Sequence, residues 1–368
     1  MRNMATVFGG TQVTIKDIAK ATGYSVSTVH RALLGKEGVS GNVASRIREE
    51  AQKMGYVVNA AATSLKRKEI NIAVVLPNPE VYGKSYFGYL IQGWRSSYQE
   101  QFLGMRLNVR EYLFDCDVTN DEEKQIEMLK SIYDTWGGSL DGLLTCPMGD
   151  DVELSMMIER FSLTGTSVIL VDSDLPESRR KSCVSVQGDL IGMLAGEIIC
   201  NYVHQSAGTI VATQGNNRSL VHRMQMQGFS DYVSSHRPDL RVVWIPYVSE
   251  MDTFANNFRQ VIHDYPDIVA AYSVRAQAGI PMCNAIIESG KVDDICIVAS
   301  DLFPGTAELM EKKVIDAIIY KNPFEQGYRG FELMVNSILR SGQAVEKLEH
   351  IPISVILHSN LPCYKKYL

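Results

Sequence analysis

From residue 70 onward, short apolar runs alternate with stretches of helical periodicity through most of the chain. Nine runs are predicted strands, at 72–76, 107–113, 142–145, 168–171, 209–213, 242–246, 268–274, 295–299 and 317–320. Helices are predicted between them, around 87–101, 121–133, 151–161, 190–204, 220–236, 252–265, 281–289, 305–312 and 324–340. Such alternation predicts parallel sheets with helices on both faces. A typical sheet holds about four to six strands, so we expect two Rossmann-like lobes.

The residues that follow the predicted strands define where a site is expected, since ligands of such sheets bind at the carboxyl ends of the strands. These positions carry aromatic, acidic, basic and amide side chains, namely Tyr86, Phe87, Asp172, Arg275, Gln277, Asp301 and Lys321. Aromatic rings beside carboxylates suit a polyol, because rings stack on sugar faces and fixed acceptors take hydroxyl protons. The alternative for each aspartate is a structural cap of the next helix.

The net charge of −6 conceals two segments of opposite sign. Residues 1–68 hold 11 lysines and arginines against 4 acidic residues, whereas the remainder is acidic. This asymmetry is typical of a nucleic-acid-binding arm on an acidic body. Seven dispersed cysteines without a CxxC motif predict free thiols rather than a disulfide or zinc framework. Because the sequence shows neither a long apolar run nor a signal-peptide pattern, we expect a cytoplasmic protein without membrane contact.

The basic segment contains three short predicted helices. Thr14 is placed to cap the first, Gly23 to supply the positive φ of a tight turn, and Ser25 to cap the second. This arrangement predicts a helix-turn-helix whose second helix enters the DNA major groove. The outward residues near the start of that helix are Val26, Ser27, Thr28, His30 and Arg31. These residue types suit base edges and phosphates, and the alternative is an ordinary amphipathic three-helix bundle.

The basic segment contains the stretches Thr14-Ile-Lys-Asp-Ile-Ala-Lys, Gly23-Tyr-Ser-Val-Ser-Thr-Val-His-Arg-Ala-Leu and Met54-Gly-Tyr-Val-Val-Asn59, followed by Ala60-Ala-Ala-Thr-Ser-Leu65-Lys-Arg-Lys. Together they closely resemble the headpiece and hinge of the lactose-repressor family. The resemblance implies an all-α DNA-binding headpiece over residues 12–58, in which Val26, Ser27 and Arg31 read bases. It also implies a hinge helix over 59–69 that orders on DNA and inserts Leu65 into the minor groove. The expected DNA contacts are Thr14, Ser25, Val26, Ser27, Thr28, His30, Arg31, Asn59 and Leu65.

The acidic body resembles the sugar-binding core of the same regulators, which has the type I periplasmic-binding-protein fold. The resemblance is carried by Leu170-Val-Asp172, Val298-Ala-Ser-Asp301-Leu and Ile319-Tyr-Lys-Asn-Pro-Phe-Glu-Gln-Gly327-Tyr. It implies an α/β core over 70–368 that binds the effector and dimerises. One lobe spans about 70–185 and 322–350, and the other about 186–321 and 351–368. By position, Phe87, Asp172 and Asp301 contact the effector.

The core also departs from the pattern of that family. Gln225 stands where many members carry a ligand-binding arginine, Gln187 where an aspartate is usual, and Lys321 where a glutamine is usual. We count all three, with Tyr86, among the expected effector contacts. Lys321 together with Arg275 supports the hypothesis that the effector carries a carboxylate or a phosphate, and a neutral sugar is the alternative.

The expected function is that of a DNA-binding transcriptional regulator, a repressor of a carbohydrate-utilisation operon controlled by a small sugar-like effector. We expect a homodimer on near-palindromic double-stranded operator DNA, without cofactor or metal ion. An enzyme is not expected, since no hydrolase, metalloprotease, P-loop or dinucleotide motif occurs, and His222 is predicted to be a surface or core residue. The alternatives are a cytosolic solute-binding protein and a sugar-modifying enzyme fused to a DNA-binding module.

Overall fold

The computed structural model describes residues 15–33, 38–54, 69–81, 84–116, 121–246, 251–340 and 343–368. Its N-terminal helices and its α/β body belong to separate compact units. The N-terminal helices are α1 (Ile15–Thr22), α2 (Val26–Leu33) and α3 (Gly41–Lys53). Each unit has its own buried core, so each is described by itself.

The three N-terminal helices form the predicted helix-turn-helix arrangement. Gly23 has a φ of 75° between α1 and α2, a value that favours glycine. The hydroxyl of Ser25 accepts a hydrogen bond from the backbone N–H of Thr28 at 3.1 Å, which confirms Ser25 as the N-cap of α2. The core of this unit is built from one apolar stripe of each helix, namely Ile18, Ala19, Val29, Ala32, Ile47 and Ala51.

The described part of the α/β body contains twelve strands in two six-stranded sheets. The first sheet comprises β1 (Ile70–Pro77), β2 (Leu107–Phe114), β3 (Gly142–Thr145), β4 (Ser167–Asp172), β5 (Ser182–Ser185) and β11 (Leu348–His350). The second sheet comprises β6 (Gly208–Thr213), β7 (Leu240–Ile245), β8 (Ile268–Ser273), β9 (Cys296–Ser300), β10 (Ala317–Tyr320) and β12 (Ser354–Leu357). The strand order is β11-β5-β4-β3-β1-β2 in the first sheet and β12-β10-β9-β8-β6-β7 in the second. Their central strands are buried runs of β-branched and aliphatic residues, as expected for sheets covered on both faces.

Helices connect the strands and cover the sheets. They are α4 (Lys84–Ser97), α5 (Asp121–Trp136), α6 (Val152–Leu163), α7 (Gly188–Tyr202), α8 (Leu220–His236), α9 (Met251–Asp264), α10 (Gly279–Glu288), α11 (Pro304–Glu311), α12 (Pro323–Leu339) and α13 (Leu361–Tyr364). Short 3₁₀ segments lie at Gly137–Ser139, Ala276–Ala278, Val292–Asp294 and Lys365–Tyr367, and a π-helical turn at Tyr98–Phe102 extends α4. The two-lobe α/β architecture predicted from the strand–helix alternation is confirmed.

All nine predicted strands are present, but the sequence interpretation missed β5, β11 and β12. These strands have only three or four residues, and β5 and β11 lack the apolar run that marks the others. The sheets are parallel as expected, except at one edge of the second sheet, where β12 pairs antiparallel with β10, from Ala317 opposite Leu357 to Tyr320 opposite Ser354. These three short strands are defined by the neighbouring strands they pair with, rather than by their local sequence.

The chain passes between the two sheets three times, after β5, β10 and β11. We call the first sheet with its helices lobe 1 and the second sheet with its helices lobe 2. Each lobe contains one close helix crossing at glycine. A Cβ on Gly327 of α12 would lie 2.0 Å from the carbonyl oxygen of Leu90, and one on Gly192 of α7 would lie 2.0 Å from that of Gln225. The crossings hold α12 on α4 and α7 on α8.

Candidate functional site

A cleft between the lobes is lined by residues that follow strands of both sheets. Lobe 1 supplies Tyr86, Phe87, Cys146, Pro147, Met148 and Asp172. Lobe 2 supplies Asn216, Ser219, His222, Arg275, Ala276, Gln277 and Lys321. The space between the two walls, including the part that is open to solvent, is about 540 Å³.

Asp172 is the acidic residue of the lobe 1 wall. It ends β4 with a φ of 67°, a left-handed conformation that aspartate tolerates better than most residues. The hydroxyl of Tyr86 donates a hydrogen bond to Oδ1, and Sγ of Cys146 lies 3.7 Å from Oδ2. Burial raises the pKa of the Asp172 carboxyl, while Lys321 and the Tyr86 hydroxyl act to lower it. Both of these contacts of the carboxylate, the hydroxyl of Tyr86 and the thiol of Cys146, are neutral donors.

Asp301 lies behind the lobe 2 wall and is paired with Lys321. It directly follows β9 with a φ of 65°, the same conformation as Asp172. Its Oδ2 is 3.0 Å from Nζ of Lys321, and the backbone N–H of Lys321 donates to Oδ1 at 3.1 Å. Both side chains are buried, at 3% and 6% exposed. Burial raises the pKa of Asp301, and the neighbouring lysine opposes that rise. Lys321 lines the cleft with a charge that Asp301 balances.

Two further nitrogen-bearing side chains complete the lobe 2 wall. The backbone N–H of Asn216 donates to Nδ1 of His222 at 3.1 Å, which leaves Nε2 to carry the ring proton. Burial, together with the charges of Lys321 and Arg275, lowers the pKa of His222 from its usual 6.5 to about 3. Arg275 is buried at the start of the 3₁₀ segment that precedes α10, with its guanidinium carbon 6.0 Å from the Phe254 ring centroid.

Direct contacts join the two walls across the cleft. Nδ2 of Asn216 donates to the carbonyl oxygen of Met148 at 3.1 Å. Two ion pairs, each with an N–O separation of 2.8 Å, connect Arg218 with Glu122 and Arg223 with Asp150. Since one partner of each contact belongs to lobe 1 and the other to lobe 2, the structure represents a closed arrangement of the lobes.

The structure brings five of the eight predicted effector contacts into the cleft lining, namely Tyr86, Phe87, Asp172, Arg275 and Lys321. The other three lie outside that lining. Asp301 is behind Lys321, and Gln187 is an exposed residue before α7. Gln225 is buried within lobe 2, where its amide donates to the hydroxyl of Tyr272 at 2.5 Å.

Sequence reasoning missed several lining residues, among them Cys146, Met148, Asn216, Ser219 and His222. The strand-end rule would have found most of them, because Cys146 and Met148 follow β3 and Asn216 and Ser219 follow β6. His222 lies one turn further, in the first residues of α8. The sequence predicted a surface or core residue rather than a catalytic base, and the structure places the partly buried ring at the cleft.

Helix α2 presents a polar outer face on the N-terminal unit. Val26 is 47% exposed, and Ser25, Ser27 and Arg31 are also exposed. Thr28 and His30 are partly buried. The remaining predicted DNA contacts, Thr14, Asn59 and Leu65, lie outside the described residues.

Two other kinds of site were sought in the described ranges of the chain. None of the helices there combines the length and the apolar character that a bilayer crossing needs. No group of three or more histidine, cysteine, aspartate or glutamate side chains there is arranged to hold a metal ion.

Two family models match the chain. The model described as Periplasmic binding protein domain matches residues 72–342, and the one described as Bacterial regulatory proteins, lacI family, matches residues 14–59. Among solved structures, an ABC transporter solute-binding protein from Burkholderia graminis in complex with D-arabinose aligns with a TM-score of 0.72 at 15% identity. That alignment covers 81% of this chain and 98% of the other, and at this identity it shows the fold alone.

Two of the curated relatives are a transcriptional regulator and an operon repressor by name. The HTH-type transcriptional regulator MalR of Streptococcus pneumoniae is 27% identical over 173 residues, which cover 44% of this chain and 49% of MalR. The Ribitol operon repressor of Klebsiella aerogenes is 29% identical over 96 residues, which cover 25% of this chain and 34% of that protein. The chain spans about half the length, or less, of the curated relatives it matches. From these matches and the two-lobe fold, the chain belongs to the periplasmic binding protein domain family, and its residues 14–59 carry the headpiece sequence of the lacI family of bacterial regulatory proteins.

Proposed function

We propose that this protein is a DNA-binding transcriptional repressor of a carbohydrate-utilisation operon, whose operator affinity is set by a small carbohydrate-like effector in the cleft. The observation that carries the proposal is the cleft itself, in which rings, a carboxylate and nitrogen donors from two lobes converge. It occurs in a chain whose other compact unit presents a polar helix-turn-helix. The names of the curated relatives, among them a ribitol operon repressor, support the same function.

In the proposed complex, α2 lies in the major groove. Val26 contacts a thymine methyl, Ser27 and Thr28 bond to base edges or phosphates, and Arg31 reads guanine. Ser25, Thr14, His30 and Asn59 contribute contacts to phosphates or neighbouring bases. Residues 59–69 order on the operator as a hinge helix, and Leu65 opens a base step in the minor groove.

In the proposed cleft, Phe87 and Tyr86 stack on a sugar face and Asp172 accepts from hydroxyl groups. His222 donates through Nε2, and Lys321 and Arg275 donate from the lobe 2 wall. Asp301 acts through Lys321, whose ammonium it holds in place. Gln225 and Gln187 act at most through the elements they adjoin, because neither side chain lines the cleft.

The proposed allosteric step couples the cleft to DNA through lobe closure. A homodimer places two headpieces on a near-palindromic operator, because one helix-turn-helix makes few base contacts. An effector that changes the closure of the lobes then changes the free energy of ordering the hinges, and effector and operator affinities are reciprocally linked. A catalytic role is not proposed, since burial raises the pKa of the Cys146 thiol and lowers that of His222 to about 3, which leaves neither activated near neutral pH.

Selection from random duplex DNA with the full chain, followed by fluorescence anisotropy on the enriched site, tests the regulator. We expect a near-palindromic site, with affinity that falls steeply between 50 and 200 mM salt because phosphate contacts release counterions. Arg31→Ala should weaken specific binding by about 10- to 100-fold, as for the loss of a bidentate guanine contact. Arg259→Gln, on α9 of the body, is the matched control and should bind as the unaltered chain does. Enrichment of no sequence, or affinity insensitive to salt, contradicts the proposal.

A further inference from the structure

Gln326 is a fully buried polar residue next to the cleft that the proposed function does not use. It lies in the first turn of α12, directly after the crossover from β10, and it is not among the residues that line the cleft. Its backbone N–H donates to the carbonyl oxygen of Asn322 in that crossover at 3.2 Å. Buried amide groups in folded proteins are hydrogen-bonded, so the partners of this side chain indicate its role.

The amide nitrogen of Gln326 donates two hydrogen bonds. Nε2 is 2.9 Å from the carbonyl oxygen of Lys321 and 3.2 Å from the hydroxyl oxygen of Tyr86. A carbonyl oxygen only accepts, so the side-chain atom that faces it must be the nitrogen, and this fixes the orientation of the amide. The second proton of the same nitrogen is then directed at the hydroxyl oxygen of Tyr86.

The hydroxyl of Tyr86 therefore has a defined direction. Its oxygen accepts from Gln326, and its single proton goes to Oδ1 of Asp172. The ring is also held, since Nζ of Lys321 lies 5.1 Å from the ring centroid. Tyr86 has no proton left to donate to a ligand, and its hydroxyl instead holds the carboxylate of Asp172 in place.

The backbone of Lys321 is held by groups from both lobes. Its N–H donates to Oδ1 of Asp301 in lobe 2 at 3.1 Å, and its carbonyl oxygen accepts from Gln326 in lobe 1. Lys321 directly follows β10, at one of the three passages of the chain between the sheets. Through Tyr86, Gln326 therefore connects the aspartate of the lobe 1 wall with the backbone of this crossover.

From these contacts we infer that Gln326 is a positioning residue of the effector site, which fixes the Tyr86 hydroxyl on Asp172 and ties that carboxylate to the crossover at Lys321. The inference rests on the proposed function, since it concerns the same cleft. An effector hydroxyl that binds Asp172 meets a carboxylate whose position is set before binding, which lowers the cost of ordering the site. Gln326 does not contact the effector and acts on its affinity through Tyr86.

Thermal unfolding of the full chain with a panel of ligands selects the probe. The panel holds D-glucose, D-galactose, D-ribose, D-arabinose and ribitol, with the aldonate and the terminal phosphate of each aldose. We expect at least one member to raise the Tm, since a ligand specific for the folded state stabilises it, and the member with the largest rise is the probe. A panel without any such member overturns the inference together with the proposed effector, and selection of operator DNA by the same chain would leave the DNA-binding function standing.

Isothermal titration calorimetry with that probe tests Gln326 in a double-variant cycle. Gln326→Met keeps the length of the side chain and removes the donor, and Tyr86→Phe removes the hydroxyl. Each should weaken binding by about 3- to 10-fold, as for the loss of one hydrogen bond. The double variant should bind within about 2-fold of Tyr86→Phe alone, because Gln326 acts through that hydroxyl. Losses that multiply in the double variant, or unchanged affinity in Gln326→Met, overturn the inference.

The cycle distinguishes positioning from a purely structural role. The hydrogen bond to the Lys321 carbonyl is lost with and without the Tyr86 hydroxyl, so a loss of affinity that came from the crossover alone would be the same in both backgrounds. Should Gln326→Met fail to fold in thermal unfolding, Gln326→Asn is the second variant. Its amide is one methylene shorter, and it should give the same losses and the same lack of multiplication.

A matched control exists at the surface of lobe 1. Nε2 of Gln101 donates to the hydroxyl of Tyr328 at 3.0 Å, and that hydroxyl donates to Oε2 of Glu100 at 3.0 Å. This is the same sequence of amide, tyrosine and carboxylate, but none of the three residues lines the cleft. Gln101→Met should therefore leave the affinity for the probe within about 2-fold. A loss equal to that in Gln326→Met would overturn the inference.

Discussion

The two lobes place an aspartate at the same point of the fold and use it differently. Asp172 ends β4 and Asp301 directly follows β9, the strands at the third position of their sheets, with φ of 67° and 65°. Asp172 contacts the neutral donors Tyr86 and Cys146, whereas Asp301 contacts the ammonium of Lys321. The two aspartates share a backbone conformation, but the charges of the groups they contact differ. Lobe 1 keeps a carboxylate available to a ligand, and lobe 2 uses its carboxylate to hold a buried lysine.

The largest expected effect comes from removing the charge of each aspartate while keeping its backbone conformation, which asparagine also tolerates. Asp301→Asn leaves Lys321 as a buried cation without its carboxylate and should lower the free energy of unfolding by about 3–5 kcal/mol. Asp172→Asn leaves an acceptor for the Tyr86 hydroxyl and removes a buried charge, so its effect should stay within about 1 kcal/mol. Urea unfolding at pH 7.5 measures both.

Asp172→Asn should have its large effect on effector affinity rather than on stability. It should weaken effector binding by about 10-fold or more, because an amide is a weaker acceptor for a hydroxyl group than a carboxylate.

A double variant tests the stability effect of Asp301→Asn. Asp301→Asn combined with Lys321→Met should recover most of the lost free energy of unfolding, since it removes both charges. Equal destabilisation by the two single variants would show that Lys321 is shared between the carboxylates, and the comparison between the lobes would fail.

The second-largest expected effect is a pH dependence of the free energy of unfolding that arises from His222 in lobe 2. The folded-state pKa of His222 is lowered to about 3 from a usual 6.5 by burial and by Lys321 and Arg275. Between these values the unfolded chain binds more protons, so the stability that His222 contributes is complete above pH 6.5 and is lost as the pH falls. The unaltered chain should therefore lose about 1 kcal/mol of its free energy of unfolding through His222 between pH 7.5 and 5.5, and the variant His222→Gln should not show this loss.

Urea unfolding of the unaltered chain and of His222→Gln at the two pH values measures this difference. His204→Gln, which changes an exposed histidine after α7, is the control and should leave the pH dependence unchanged. If His222→Gln shows the same pH dependence as the unaltered chain, the ring is not held neutral in the cleft.

The same contrast explains what the sequence could and could not predict. Strands with buried apolar runs were predictable, and so were strand-end residues such as Asp172 and Arg275, because both follow from local pattern and a general rule about parallel sheets. The pairing of Lys321 with Asp301 was not predictable, since it depends on how β10 lies beside β9. For the same reason Gln225, which sits on the buried side of α8, could not be distinguished from a cleft residue. Three-dimensional neighbours decide whether a charged side chain faces a ligand or another side chain.

The smallest expected effect concerns the two ion pairs that connect the lobes. Glu122 is 5% exposed and also accepts from the backbone N–H of Asp151, so Arg218 contacts a carboxylate that is fixed in place. Arg223 and Asp150 are 39% and 48% exposed, and such pairs contribute little. Arg218→Gln should favour open lobes by about 1 kcal/mol and weaken effector binding by about 5-fold, whereas Arg223→Gln should change affinity by less than about 2-fold. Calorimetry gives the affinities, and small-angle X-ray scattering with and without effector gives the lobe opening. A larger effect of Arg223→Gln would mean that closure depends on the exposed rim of the cleft instead of on the buried carboxylate of lobe 1.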